Sequence, residues 1–437
     1  MALVLWNTLF GDGLGFVEVL IREGHEVEIF IKDKSMKNLY DGICKKHDSI
    51  ESWTHRAIST KALTIFDGVT QGKVGDYLRS KGVPVLGGQE IADKLELDRA
   101  FGMQVMADAG IKIPETYDFK DIGQGISFVK ANKGRWVYKP YGAKQGSCAK
   151  TYVSENEVDL IDFMKKQKPT KFILQKFIKG EEMSCEVLFS NGVPLSPEFF
   201  DMETKKFMPG ELGPNTGCQS SLEWAGQGLQ SKSVKEGIGK CFDYMASVKY
   251  SGSLDLNSII DEKGVLHGLE WTARFGYSGN YASFMLLKEP LYDFYLRLAK
   301  GTAKDIQVDN QYGFALRISI PPYPLDADDE NPEEVKAVNL LMKKKKGLEI
   351  KVKKFPGIEY RMLDVYKKDG KYFTAGNDGI ILEIVCKAPT IEEGKKIVYE
   401  AAKEVEIGDR QYRTDGFERA INQIPILEKM GYAERMK

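Results

Sequence analysis

Residues 252–276 read GSLDLNSIIDEKGVLHGLEWTARFG. Two runs of alternating apolar residues, 252–260 and 265–273, flank the turn Asp261-Glu262-Lys263-Gly264 and predict an antiparallel pair of strands. Asp255 lies on the first strand and Glu270 on the second. Two carboxylates on adjacent strands form a hard oxygen set that suits Mg²⁺ or Mn²⁺, which takes one or two carboxylates plus phosphate oxygens. The bland alternative is two unrelated strand-face acids. Arg274, four residues past Glu270, offers a planar fork to a carboxylate or phosphate, or else a structural ion pair.

Working outward, three upstream segments carry related chemistry. Strand-like WVYKP (136–140) carries Lys139 near its end and runs into a loop with Gly142, Lys144, Gly146 and Ser147. Glycine loops let backbone amides approach phosphate oxygens, and a lysine adds a compact charge. An ordinary surface hairpin has the same composition. In ILQKFIKGEEMSCEV (173–187), an apolar strand through Gln175, Lys176 and Phe177 turns into Glu181-Glu182. Such a strand presents its backbone to an adenine edge and a glutamate to ribose, although a lone Gly-Glu-Glu is commonly just an exposed turn. PGELGPNTG (209–217) concentrates turn formers and reads as a loop, either plain or wrapped around a substrate. Near the start, GDGLGF (11–16) follows a strand and opens a helix. That places Gly13 where a phosphate meets a helix N-terminus, but without dinucleotide-binding G-x-G-x-x-G spacing.

The chain-wide pattern sets the class. Strand and helix signals alternate through the first 90 residues and predict a parallel α/β sheet with crossover helices. A long helix is expected over 92–109. Beyond it the texture is α+β, with strands expected at 172–177, 186–189, 193–200, 314–320 and 379–386 and helices at 155–166, 291–300 and 391–405. The 437 residues suffice for about three domains. A net charge of -1 gives nucleic acid and membranes no electrostatic attraction. The six cysteines show no C-x-x-C spacing, which argues against a zinc or redox site. No signal-peptide pattern or long apolar run is evident, so a reducing cytoplasm is expected.

The order of these segments resembles the phosphoribosylamine–glycine ligase family of ATP-grasp enzymes. ELGPNTG at 211–217 is similar to that family's DTGPNTGG, and LEWTARFG at 269–276 to IEFNxRFG. FILQKFIKGEEMS resembles IVIEEFLDGEEAS, and WVYKP with its loop resembles IVIKADG. The resemblance implies an α/β and α+β multidomain protein. Its parts are an N-terminal substrate domain (1–92), a linker helix and lid (93–190), a grasp core (191–301) and a C-terminal domain (302–437).

It also implies ATP and Mg²⁺ or Mn²⁺ as cofactors, and an amino acid and an amine as substrates, in a monomer or homodimer. By position, Arg99 and Lys139 contact ATP phosphates with Lys144, Gly146 and Ser147, and Gln175, Lys176 and Phe177 line adenine. Glu182 reaches ribose. Glu270, Asp255 and Thr272 hold the metal. Asn215, Thr216, Gly217 and Gly13 shape substrate sites, and Arg274 with Lys139 assists phosphoryl transfer. Two departures stand out. Thr272 replaces the family's metal-binding asparagine, and the family's phosphosugar turn has lost its Arg-Glu-His. The implied reaction is acyl-phosphate ligation of glycine to phosphoribosylamine. The alternatives are ligation to another amine and a catalytically weak nucleotide-binding relative; a nicotinamide oxidoreductase conflicts with the glycine spacing.

Overall fold

A computed structural model describes residues 1–140, 151–167, 171–275, 277–325 and 332–437. The expected phosphate loop with Gly142, Lys144, Gly146 and Ser147 lies outside the described residues, as do Cys148 and Gly276.

The N-terminal part has a five-stranded parallel sheet of β1 (Leu3–Thr8), β2 (Glu26–Ile31), β3 (Lys45–Lys46), β4 (Leu63–Phe66) and β5 (Val85–Leu86), ordered β3-β2-β1-β4-β5. β1 is buried on both faces, Val4–Thr8 without exception, because helices cover each side of a parallel sheet. The expected strand–helix alternation is present.

The helix expected over 92–109 is two helices, Glu90–Leu97 and Arg99–Asp108. Asp98 leaves the helical region at φ -103°, ψ 88°, and its carboxylate accepts the Phe101 N–H at 3.1 Å. An aspartate that caps a helix competes with continuing one, and periodicity alone does not reveal the break.

A small antiparallel sheet follows, made of β6 (Thr116–Phe119), β7 (Trp136–Pro140), β8 (Tyr152–Val153) and β9 (Phe172–Lys176), ordered β6-β9-β7-β8. It has its own apolar core, Trp136, Tyr138, Leu160, Met164, Phe172 and Leu174, beneath the helices Ile122–Ala131 and Glu157–Gln167.

The large sheet contains β10 (Gly180–Ser190), β11 (Val193–Pro194), β12 (Phe199–Met208), β13 (Leu212–Ala225), β14 (Gly252–Asp261), β15 (Leu266–Thr272) and β16 (Tyr312–Ser319). The closing segment supplies β17 (Glu349–Ile350), β18 (Ile358–Met362), β19 (Val365–Lys368), β20 (Lys371–Thr374) and β21 (Ile380–Ala388). The order is β15-β14-β10-β12-β13-β16-β21-β18 with β11 on β10, while β17, β20 and β19 form a separate small sheet. Strands from both sides of residue 301 therefore share one sheet.

Two sequence expectations are corrected here. Residues 193–200 do not form one strand: Pro194 and Pro197 each lack the N–H that a ladder needs, and β11 ends before β12 begins. PGELGPNTG is mostly strand rather than loop. Only 209–211 turn, with Gly210 at φ 72° and Glu211 at φ 59°, and β13 pairs with β12 across two register shifts. Pairing with β12 overrides the local turn propensity.

Candidate active site

One face of the large sheet is polar. Glu270 on β15 stands opposite Asn257 on β14, Asn257 opposite Ser184 on β10, Ser184 opposite Asp201 on β12, and Asp201 opposite Glu223 on β13. In the next row Thr272 stands opposite Asp255, and Asp255 opposite Glu186. Side chains two apart on a strand share a face, so both rows look the same way.

At the β15 end, three elements converge. Lys139 is the penultimate residue of β7 in the small sheet, and Arg99 opens the second linker helix. The Lys139 Nζ lies 3.8 Å from Glu270 Oε2 and 3.5 Å from the Leu269 carbonyl, and the Arg99 guanidinium pairs with the same Oε2. Burial raises the Glu270 carboxyl, but Arg99 and Lys139 overcome it and hold the group well below the usual range. The Lys139 ammonium is pulled below its ordinary value by burial, against the pull of Glu270. Two cations on one carboxylate, roofed by the small sheet, suit an incoming polyphosphate.

Glu182 starts β10 beside this group. Its carboxylate takes Lys205 at 3.2 Å, Arg419 at 3.0 Å and the Asn257 amide at 3.3 Å. Burial would raise it, and Lys205 and Arg419 reverse the shift. Lys205 also reaches Glu203 at 3.4 Å. Neither Lys205 nor Arg419 was singled out in the sequence, and Arg419 stands 237 residues from Glu182. No local motif links the two.

The other expected positions are placed as follows. Gln175 is buried, and its amide donates to Thr116 Oγ1 at 3.3 Å, so β9 offers its backbone rather than this side chain. Lys176 lies 4.5 Å over the Trp136 ring, and Arg135 lies 3.9 Å over Phe177. The Asn215 amide donates to the Thr151 carbonyl at 3.4 Å, bringing β13 to the small sheet. The Thr216 hydroxyl donates to the Lys205 carbonyl at 2.8 Å, and Gly217 is exposed. Arg274 gives its Nε to Glu96 at 2.8 Å and lies 4.4 Å over Tyr277. Glu96 also accepts the Ala273 N–H at 2.9 Å, a partner on the linker that the sequence did not reveal. The Gly13 N–H donates to Asp67 at 3.0 Å, and a Cβ there would come 2.5 Å from the same oxygen. Burial, with Asp12 nearby, pushes the Asp67 carboxyl up to about 7.

The donor set fits a hard divalent cation. Glu270 is held ionised, Asn257 opposite it adds an amide, and Asp255 one row away has a buried Oδ1 with no hydrogen-bond partner. Mg²⁺ commonly takes one or two carboxylates and fills the rest of its shell from phosphates and water. Thr272 faces Asp255 rather than Glu270, and the SLDLN alternation places Asn257 on the same face as Asp255.

Residues 97–279 match the family model described as phosphoribosylglycinamide synthetase, ATP-grasp (A) domain. The phosphoribosylamine–glycine ligase of Methanosarcina barkeri is 27% identical over 354 residues, spanning 75% of this chain and 74% of its own. That of Helicobacter pylori strain J99 is 22% identical over 379 residues, 84% of this chain and 83% of its own. Among solved structures, a phosphoribosylamine–glycine ligase from Thermotoga maritima superposes with a TM-score of 0.71 at 20% identity, covering 94% of this chain and 99% of that one. Biotin carboxylase from Campylobacter jejuni gives 0.65 at 14% identity, covering 95% and 98%.

The small antiparallel sheet over a large antiparallel one, with basic and acidic groups meeting between them, is the ATP-grasp arrangement. Within that class, residues 97–279 match the phosphoribosylglycinamide synthetase domain model, and the chain is similar to phosphoribosylamine–glycine ligases over most of its length.

Proposed function

We propose that this chain is an ATP-dependent carboxylate–amine ligase that joins glycine to phosphoribosylamine, as the names of its relatives suggest. The observation that carries the reading is the convergence of Lys139, Arg99 and Glu270 at the seam between the small and large sheets. The four-part division at 92, 190 and 301 belongs to the same proposal, with ATP between the second and third parts.

In the first step a glycine carboxylate oxygen attacks the γ-phosphorus. The bond to the bridging oxygen breaks, ADP leaves and an acyl phosphate remains. In the second step the amine nitrogen attacks the acyl carbon, the C–O bond to phosphate breaks, and the nitrogen loses a proton. Lys139 and Arg99 neutralise the triphosphate oxygens, and Arg274 steadies the substrate carboxylate or the transferred phosphoryl group. Lys176, Phe177 and the β9 backbone receive adenine, Glu182 receives ribose, and Asn215, Thr216 and Gly217 border the amino acid. Glu270 and Asp255, with Asn257 or Thr272 adjoining, would hold a divalent cation, which would supply further charge neutralisation. The chain's contribution is positioning and electrostatic stabilisation.

A different amine acceptor is the second reading. It is favoured at the first loop, where Asp67 occupies the Gly13 N–H and residues 10–16 contain no lysine or arginine to hold a phosphate. Mass spectrometry of products from ATP, Mg²⁺, glycine and either phosphoribosylamine or a panel of phosphate-free amines tests both. Product with phosphoribosylamine supports the first, product only with another amine supports the second, and ADP release with neither removes the ligase reading.

A further inference from the structure

Along the polar face, away from Lys139 and Arg99, the sheet carries carboxylates that form no ion pair among the described residues. Asp201 and Glu223 face each other across β12 and β13, and Glu186 and Asp255 face each other across β10 and β14. None of the ion pairs formed among the described residues involves any of these four, because the nearby Lys205 is engaged by Glu182 and Glu203. Asp201 and Asp255 are partly accessible, while Glu186 and Glu223 stand behind them. A narrow cleft runs from Glu182 and Arg419 along Ser184, Glu203 and Asn257 to Asp201.

A second, independent observation concerns hydrogen-bond acceptors. Asn280, fully buried, clasps both oxygens of Glu186 with its amide nitrogen at 3.0 and 2.9 Å, and its own Oδ1 has no donor. Asp255 Oδ1 has none either, nor does Glu383 Oε2 on the same face, beyond Arg317. Buried polar atoms are normally paired, so a face left short of donors is matched to something that brings N–H groups. The helix Tyr277–Ser283 closes the back of the acids: a Cβ on Gly279 would sit 2.5 Å from Glu223 Oε1 and 3.0 Å from Asp201 Oδ2.

We propose that the carboxylate wall of Asp201, Glu223 and Glu186 receives the ammonium group of the amino-acid substrate and so selects a zwitterion over a simple carboxylic acid. The assignment rests on the ligase reading above and deepens it. An organic ammonium suits the wall because it carries the N–H donors that these acceptors lack. The row geometry also places the wall suitably. Asp201 stands in the row of Glu270, three strand spacings of about 4.8 Å away, so an amino acid on the wall turns its carboxylate toward the phosphate end.

The test is calorimetric titration of the full chain, loaded with Mg²⁺ and a non-hydrolysable ATP analogue, with glycine and with glycolate, which replaces the ammonium by a hydroxyl. Glycine is expected to bind at least about tenfold tighter than glycolate, as loss of a charge-assisted hydrogen bond predicts. Asp201→Asn and Glu223→Gln should each erase most of that difference while leaving affinity for the ATP analogue unchanged. Methylammonium should compete with glycine on the unaltered protein, a readout that survives if either variant fails to fold. Equal binding of glycine and glycolate, or no competition by methylammonium, overturns the wall. The two readings fail separately. Glycine selectivity without ADP release on adding any amine would sink the ligase and leave the wall, whereas ligation of glycolate as readily as glycine would sink the wall and leave the ligase.

Discussion

At the scale of single residues, Lys139 is the most exposed to test. Its ammonium is buried against Glu270 at the seam of the two sheets. Lys139→Ala should weaken ATP binding by roughly 1.5–3 kcal/mol, the value of a charge-assisted hydrogen bond. Wild-type affinity by calorimetry would remove it as a phosphate ligand. Asp255 and Thr272 face each other, so they form a natural pair of variants. Asp255→Asn keeps the shape and removes the charge, and is expected to abolish turnover with the fold intact by circular dichroism. Thr272→Asn should preserve or raise turnover, because an amide oxygen is a better hard ligand than a threonine hydroxyl. The opposite pair of outcomes would assign the threonine a different role. Most of these residues were legible because each sits in a short motif. Lys205, Arg419, Glu96 and Asn280 were not, because each meets a site partner distant in sequence, 23 residues away for Lys205 with Glu182 and 237 for Arg419.

At the scale of elements, close backbone approaches fix how helices seat on strands. A Cβ at Gly75, in the helix Gly72–Ser80, would overlap the carbonyl of Gly88 in the loop after β5. Backbone on both sides cannot swing away, so Gly75→Ala should cost about 1–3 kcal/mol as overpacking. Urea denaturation reads this directly, and an unchanged midpoint would show that the helix shifts freely. The break at Asp98 belongs to the same scale. Helical periodicity runs across it, and only the cap on Phe101 shows two helices, the second of which carries Arg99 to Glu270. Likewise the GPNTG stretch carries every local sign of a loop, yet pairing with β12 makes it a strand.

At the scale of the whole molecule, two buried acids give stability opposite dependences on pH. Glu28 is fully buried among Lys45, His47 and Arg56 at 2.9, 2.7 and 3.1 Å. Burial would raise it, but these partners bring it down to about 2 from 4.5. A depressed acid stabilises the fold above its unfolded value, and the contribution is lost as pH falls from there through about 2. Asp67 is the reverse, raised by burial to about 7 from 3.8. The folded state keeps a proton that the unfolded chain gives up, so stability is lost as pH rises between those values, by at most about 1.4 kcal/mol per pH unit. Asp67→Asn should flatten that decline in denaturation curves taken from pH 4 to 7. An unchanged slope would mean the carboxyl is already ionised.

What the sequence determined by itself was the class and the order of its parts. The strand–helix alternation, the Lys139 segment, the β14–β15 turn and the GPNTG and RFG motifs are local, and local chemistry reads from local residues. The tertiary structure alone decided which charges meet. Glu270 takes its cations from the linker and the small sheet, and Glu182 takes one of its own from near the end of the chain. It also decided that Asp201, Glu223, Asp255 and Glu186 lie on one face with no basic partner among the described residues. The register of β14, β10, β12 and β13 sets that juxtaposition, and register is a property of paired strands that no single strand encodes.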